Sequence, residues 1–100
     1  MARGYWIGRI DVHNQEGFQP YAEANVAIFK KFGARYVVRS DKFEAMEGQG
    51  RSRNLVIEFP YYETALACYR SLEYQENIKR RQPHSTIDLV IVEGYDGAQP

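Results

Sequence analysis

A chain of 100 residues is long enough to bury a core without staples, and one domain over residues 1–100 is expected. Thirteen basic and thirteen acidic residues cancel to zero net charge, so no global field would hold a nucleic acid or an anionic membrane surface, and neither is an expected partner. Cys68 is the single cysteine, which excludes an internal disulfide and a multi-cysteine metal site; with no signal-type or membrane-spanning apolar run, the cytoplasm is the expected compartment. Aromatic residues are plentiful, and the 8 tyrosines suit half-wet pockets and interfaces.

Gly4–Val12 alternates as a strand, with Trp6, Ile10 and Val12 on one side and Tyr5, Ile7, Arg9 and Asp11 on the other. Residues 13–17 read as a turn. Phe18, Tyr21, Ala22, Asn25, Ile28, Phe29 and Phe32 recur at helical spacing, which predicts a helix over 18–32 with Pro20 in its first turn and Gly33 as its stop. Residues 34–39 are a short β-branched run, hence a second strand; residues 40–42 interrupt it, and 43–47 are a candidate for renewed extended pairing. Residues 47–52 read as a hairpin-like turn in which Gly48, Gly50 and Arg51 offer donors to an anion, although without phosphate-loop spacing.

Arg53–Phe59 reads as the third strand, with Leu55, Ile57 and Phe59 alternating against Asn54, Val56 and Glu58, and Pro60 ends its pairing. A helix over Tyr62–Arg70 places Tyr62, Ala65, Leu66 and Tyr69 on one face. Ser71 is positioned to cap a further helix over residues 73–81, whose Lys79, Arg80 and Arg81 match its negative C-terminal end and read as a solvated face. Residues 86–95 supply the last strand. The order β, α, β, β, α, β predicts an α+β, ferredoxin-like sandwich: one four-stranded sheet, two main helices on one face, and the first and third strands as central neighbours.

A two-layer domain covers one face of its sheet, so the other should be polar in a chain that works alone. Here the open face is expected to carry Tyr5, Ile7, Arg9, Asp11, Val37, Arg39, Asn54, Val56, Glu58, Val90 and Val92, an apolar surface with a few charges set into it. A surface of this kind is normally covered, which predicts a sheet-to-sheet homodimer. Arg9 and Glu58 fall on adjacent central strands, where an unpaired charge is costly. Two readings follow: an internal network that fixes the dimer's register, or a small-molecule site. In the second, Arg9 and Arg39 hold a carboxylate or enolate oxygen, Asn54 orients it, and Glu58, its pKa raised by burial, moves a proton.

The remaining chemistry-bearing residues are weaker candidates. His13 and His84 lack a second ligand at metal spacing, Cys68 falls at the buried edge of its helix without a neighbouring histidine, and no GxSxG elbow is present. Tyr69 and Tyr74 flank the break between the two later helices, where they either fill the core or line a pocket. No metal or cofactor is expected.

GYWIGRIDV at 4–12, the EGxGRSRN segment at 47–54, IEFP at 57–60, ALACYRSLEYQ at 65–75 and LVIVEGYDG at 89–97 together resemble a family of short, mostly bacterial proteins known as domain of unknown function 1330. The resemblance spans essentially the whole chain and implies a dimeric α+β barrel of ferredoxin-like protomers. Members often carry Pro after the serine of the SxEY segment where this chain has Leu72, which bears on how sharply the second helix breaks. The resemblance implies no particular reaction, since proteins on the same dimeric barrel include monooxygenases, isomerases and stress-response proteins. Three functions are therefore expected in turn: a dimer that binds a small anionic or aromatic metabolite, a cofactor-free isomerase or monooxygenase acting on one, and a structural dimer without ligand.

Overall fold

The computed structural model describes residues 2–100. The elements run β1 (Gly4–Val12), α1 (Gln15–Lys31), β2 (Arg35–Ser40), β3 (Arg53–Phe59), α2 (Tyr62–Arg70), α3 (Leu72–Arg81), a single 3-10 turn (Gln82–His84) and β4 (Ser85–Glu93). The strands form one antiparallel sheet in the order β2-β3-β1-β4, so β1 and β3 are the central neighbours the element order predicts.

Trp6, Ile10, Ile57 and Phe59 point to the helix side and are buried. Around Trp6 the rings of Phe29, Tyr69 and Tyr74 stand edge-on, with centroids 5.4, 5.9 and 4.9 Å away. The Trp6 indole N–H donates to the Ala65 carbonyl at 2.9 Å, which ties β1 to α2.

α1 begins three residues earlier than its apolar stripe, because the Asn14 side chain accepts from Gly17 N at 3.1 Å and caps it. Pro20 consequently sits beyond the first turn, inside the helix. At the other end Gly33, with φ of 69°, takes the left-handed conformation that stops the helix. α2 and α3 are separated at Ser71 without a proline: its extended backbone ends α2, and its hydroxyl accepts from Tyr74 N at 3.2 Å to start α3. Residues 43–47 do not resume pairing; 41–52 form one long connection without a strand.

The second strand departs from simple alternation. Tyr36 pairs with Ile57, but the next pair is Val38 with Val56, so a bulge at Val37 slips the register by one residue. Val38 rather than Val37 therefore joins the open face. Arg39, opposite Leu55, turns to the helix side, which corrects its expected place beside Arg9.

Candidate functional site

The residues singled out in the sequence divide between the two faces of the sheet. Arg9, Asn54 and Glu58 share the open face, where Arg9 lies opposite Asn54 on β3 and Asp88 on β4. Arg9 and Glu58 do not pair with each other. Arg9 donates to the Gln49 carbonyl at 2.9 Å and reaches Asp88 at 3.5 Å. Glu58 accepts from Arg35 Nε at 2.9 Å and from the Tyr5 hydroxyl at 3.0 Å. The Arg35 hydrogen bond holds the Glu58 carboxyl below its usual range against a smaller opposing effect of burial, which corrects the expectation of a raised pKa. Glu58 is thus an ionised anchor rather than a group poised to exchange a proton near neutrality.

Arg51 fastens the long β2–β3 connection to this face. Its Nε donates to Asp88 at 2.8 Å and a terminal nitrogen to Asp11 at 2.8 Å, while Ser52 N donates to the other Asp11 oxygen at 2.9 Å. The Ser52 and Arg51 hydrogen bonds depress the Asp11 pKa, and Arg51 depresses that of Asp88. A carboxyl whose folded pKa is depressed contributes stability that is complete above its unfolded value and lost as pH falls through its folded value. Thermal unfolding midpoints measured from pH 7 downward should therefore decline below the ordinary aspartate value of 3.8, and Asp11→Asn should flatten that decline. An unchanged slope in the variant would exclude the latch.

On the opposite side of the sheet a cavity of about 670 Å³ lies between α1 and the strands. Trp6, Phe18, Phe29 and Ile57 supply its apolar walls. Tyr21, Tyr74 and Asn25 also line it, and the two tyrosine hydroxyls are hydrogen-bonded to each other at 2.6 Å. Burial, reinforced by Tyr21, pushes the Tyr74 pKa far above its usual value, so this hydroxyl keeps its proton. Asn77, fully buried on α3, donates its amide to Asn25 Oδ1 at 2.8 Å and to the Tyr21 carbonyl at 3.2 Å, which sets the position of both α1 residues. The wetter part of the lining is cationic: Lys30, Arg39 and the half-buried Arg53 against Asp41. Arg39 lies over the Tyr36 ring, 4.8 Å from its centroid.

Gly8, between Trp6 and Ile10 on the helix side of central β1, explains why space remains there. A Cβ at this position would meet nothing closer than a Leu89 methyl at 3.5 Å, and its φ is not positive. Neither a steric conflict nor a backbone requirement calls for glycine, so its effect is to leave room against the sheet.

Of the expected ligand residues, Arg39 and Tyr74 line this cavity and Tyr69 lines a neighbouring groove. Asn54 borders the cavity from β3, but its strand position sets it on the open face, where its amide nitrogen is buried without a protein acceptor. Trp6, Gly8, Tyr21, Asn25 and Arg81 are not among the expected site residues. Arg81 belongs to the basic run that reads as a solvated face, yet it is 7% exposed, which corrects that expectation. Its signal was present: Tyr74, Asn77, Ile78 and Arg81 follow the spacing of one buried helix stripe. Cys68 is fully buried, which pushes its thiol up to about 12, and His13 is exposed and hydrogen-bonded to Thr86 at 2.8 Å.

The family model described as "Domain of unknown function (DUF1330)" matches residues 3–95. Among solved structures, an RPA0582 protein of unknown function from Rhodopseudomonas palustris superposes with a TM-score of 0.74 at 14% identity, covering 96% of this chain and 85% of that one. SnoaB from Streptomyces nogalater, described as a cofactor-independent oxygenase, gives a TM-score of 0.67 at 12% identity, over 100% of this chain and 97% of SnoaB. A protein of unknown function from Jannaschia sp. CCS1, described as dimeric and ferredoxin-like, gives 0.62 at 13% identity over 91% of this chain and 98% of that one. No protein of curated function matches the chain. Among the described residues no helix is long and apolar enough to cross a membrane.

Proposed function

The chain belongs to the DUF1330 family, whose description names no activity, and from that premise we propose that it is a cytoplasmic homodimer that binds a small anionic aromatic metabolite in the cavity between α1 and the sheet. The observation that carries this reading is Gly8, which keeps a central strand bare beneath a cavity walled by aromatic rings. Apolar walls with a few convergent polar groups are the usual composition of a ligand site. The rings suit a planar body, and Lys30, Arg39 and Arg53 suit an acidic substituent at the wet end.

Binding is favoured over proton-shuttling catalysis because the cavity lining lacks an inward base. Among the described residues no histidine lines it, its one carboxylate is the exposed Asp41, Tyr74 holds its proton, and Glu58 sits on the far face. The open face, left to the partner protomer, presents a row in a single register across the sheet: Val38, Val56, Ile7 and Val90. Two similar proteins described as dimeric support the same assembly.

A thermal-shift screen against aryl carboxylates, phenols, quinones and lactones tests the site. A compound at a hundred times its dissociation constant contributes about 2.7 kcal/mol, or roughly ten degrees or more in a domain of this size. Gly8→Ala should raise the unliganded stability by about 0.5–1 kcal/mol, by removing a strand glycine, and Gly8→Val, whose methyls occupy the space beside the sheet, should abolish the shift. A hit that survives Gly8→Val and also Arg39→Met would place the ligand elsewhere.

A further inference from the structure

Arg81 is a buried cation without a visible counter-charge. Among the described residues no aspartate or glutamate pairs with it, and its Nε is buried with no protein acceptor. Its guanidinium carbon lies 5.7 Å from the Tyr21 ring centroid, the Tyr74 hydroxyl oxygen is within its hydrogen-bonding reach, and it ends α3, where the helix dipole favours a cation. These offset part of the cost of burying the charge, but they leave Nε–H itself without an acceptor.

The same side chain lines a second groove, of about 550 Å³, between α2 and β4. The other lining residues are Leu66 and Tyr69 from α2 and Ile87, Leu89 and Ile91 from β4. Ile87 and Leu89 also border the cavity under α1, whereas Leu66, Tyr69, Ile91 and Arg81 do not. We propose that this groove is a separate binding site for a small organic carboxylate, its head accepting from the Arg81 guanidinium and its apolar body lying on Leu66, Ile91 and the Tyr69 ring. One guanidinium matches a monoanion better than a phosphate or another strongly hydrated dianion. The inference is independent of the cavity under α1, since it rests on a different cation and a different wall.

Benzoate and hexanoate are suitable probes, with benzamide and hexanamide as neutral counterparts of the same shape. The Nε–H resonance of Arg81 should shift saturably with each carboxylate and not with the amides. Leu66→Trp, which fills the groove and keeps the arginine, should weaken the apparent affinity about tenfold or more, the loss that goes with a displaced charge-assisted hydrogen bond. Arg81→Met, where it folds, should abolish binding. Ala22→Phe, which narrows only the cavity under α1, should leave the titration unchanged. Equal responses to carboxylate and amide, or a titration insensitive to Leu66→Trp, would overturn the site. Loss of the response in Ala22→Phe would also overturn it, while placing the probe in the larger cavity and leaving that reading intact.

Discussion

Replacing Trp6 by alanine is expected to lower the unfolding free energy by about 3–5 kcal/mol, a large part of what a domain this size possesses. Trp6 is 2% exposed and is the ring against which Phe29, Phe59, Tyr69 and Tyr74 all lie. Its indole N–H also fixes α2 to β1 through Ala65. Removing it deletes the largest apolar side chain at the junction of two helices and the sheet, and the existing cavity beside it leaves the neighbours little to collapse onto. Urea unfolding followed by circular dichroism gives the difference directly. A loss below about 1.5 kcal/mol, the range of a volume-conserving core swap, would mean that the aromatic cluster is not the keystone of the fold.

Ile7→Arg should convert the proposed dimer into monomers at micromolar concentration while leaving the protomer folded. Ile7 lies at the centre of the open face, opposite Val56 on one side and Val90 on the other, and is 39% exposed in the single chain. An arginine there costs the isolated protomer little. In a sheet-to-sheet dimer it buries a charge on an apolar row, and a penalty of several kcal/mol weakens association by about two orders of magnitude or more. Light scattering should return twice the chain mass for the native protein and the single mass for the variant, with unchanged circular dichroism. A native protein of single mass, or a variant that still dimerises, would remove the open face as the interface.

The fold was legible because its signals are local and repeated. The alternation of β1 and β3 assigned their faces, and the element order gave the sheet arrangement found here. β2 was misread for a definite reason: one inserted residue at Val37 exchanges the faces of everything after it, and nothing in the run from Arg35 to Ser40 marks where the extra residue sits. Arg39 was therefore placed beside Arg9, although the sheet separates them. The α2–α3 break needed no proline, because one serine ends the first helix and caps the second.

The candidate site was harder to read than the fold. Apolar residues on a strand and a helix announce that two surfaces face each other, but not whether they touch. The cavity is bordered by Gly8, which a pattern of side chains does not register, and it emerges only once the space around that position is known. Arg81 shows the converse. A basic residue in a last helical turn is ordinarily solvated, and only its place in the stripe with Tyr74, Asn77 and Ile78 reveals that it is buried.

Trp6 is the only tryptophan in the chain and a wall of the cavity, so its fluorescence reports on occupancy without any label. The most direct test of small-molecule binding beneath α1 is a titration of that fluorescence with the aromatic anions that give the largest thermal shifts. Binding there predicts saturable quenching with one equivalent per chain in the native protein and none in Gly8→Val. Quenching that rises without saturation, or that is the same in Gly8→Val, would contradict it.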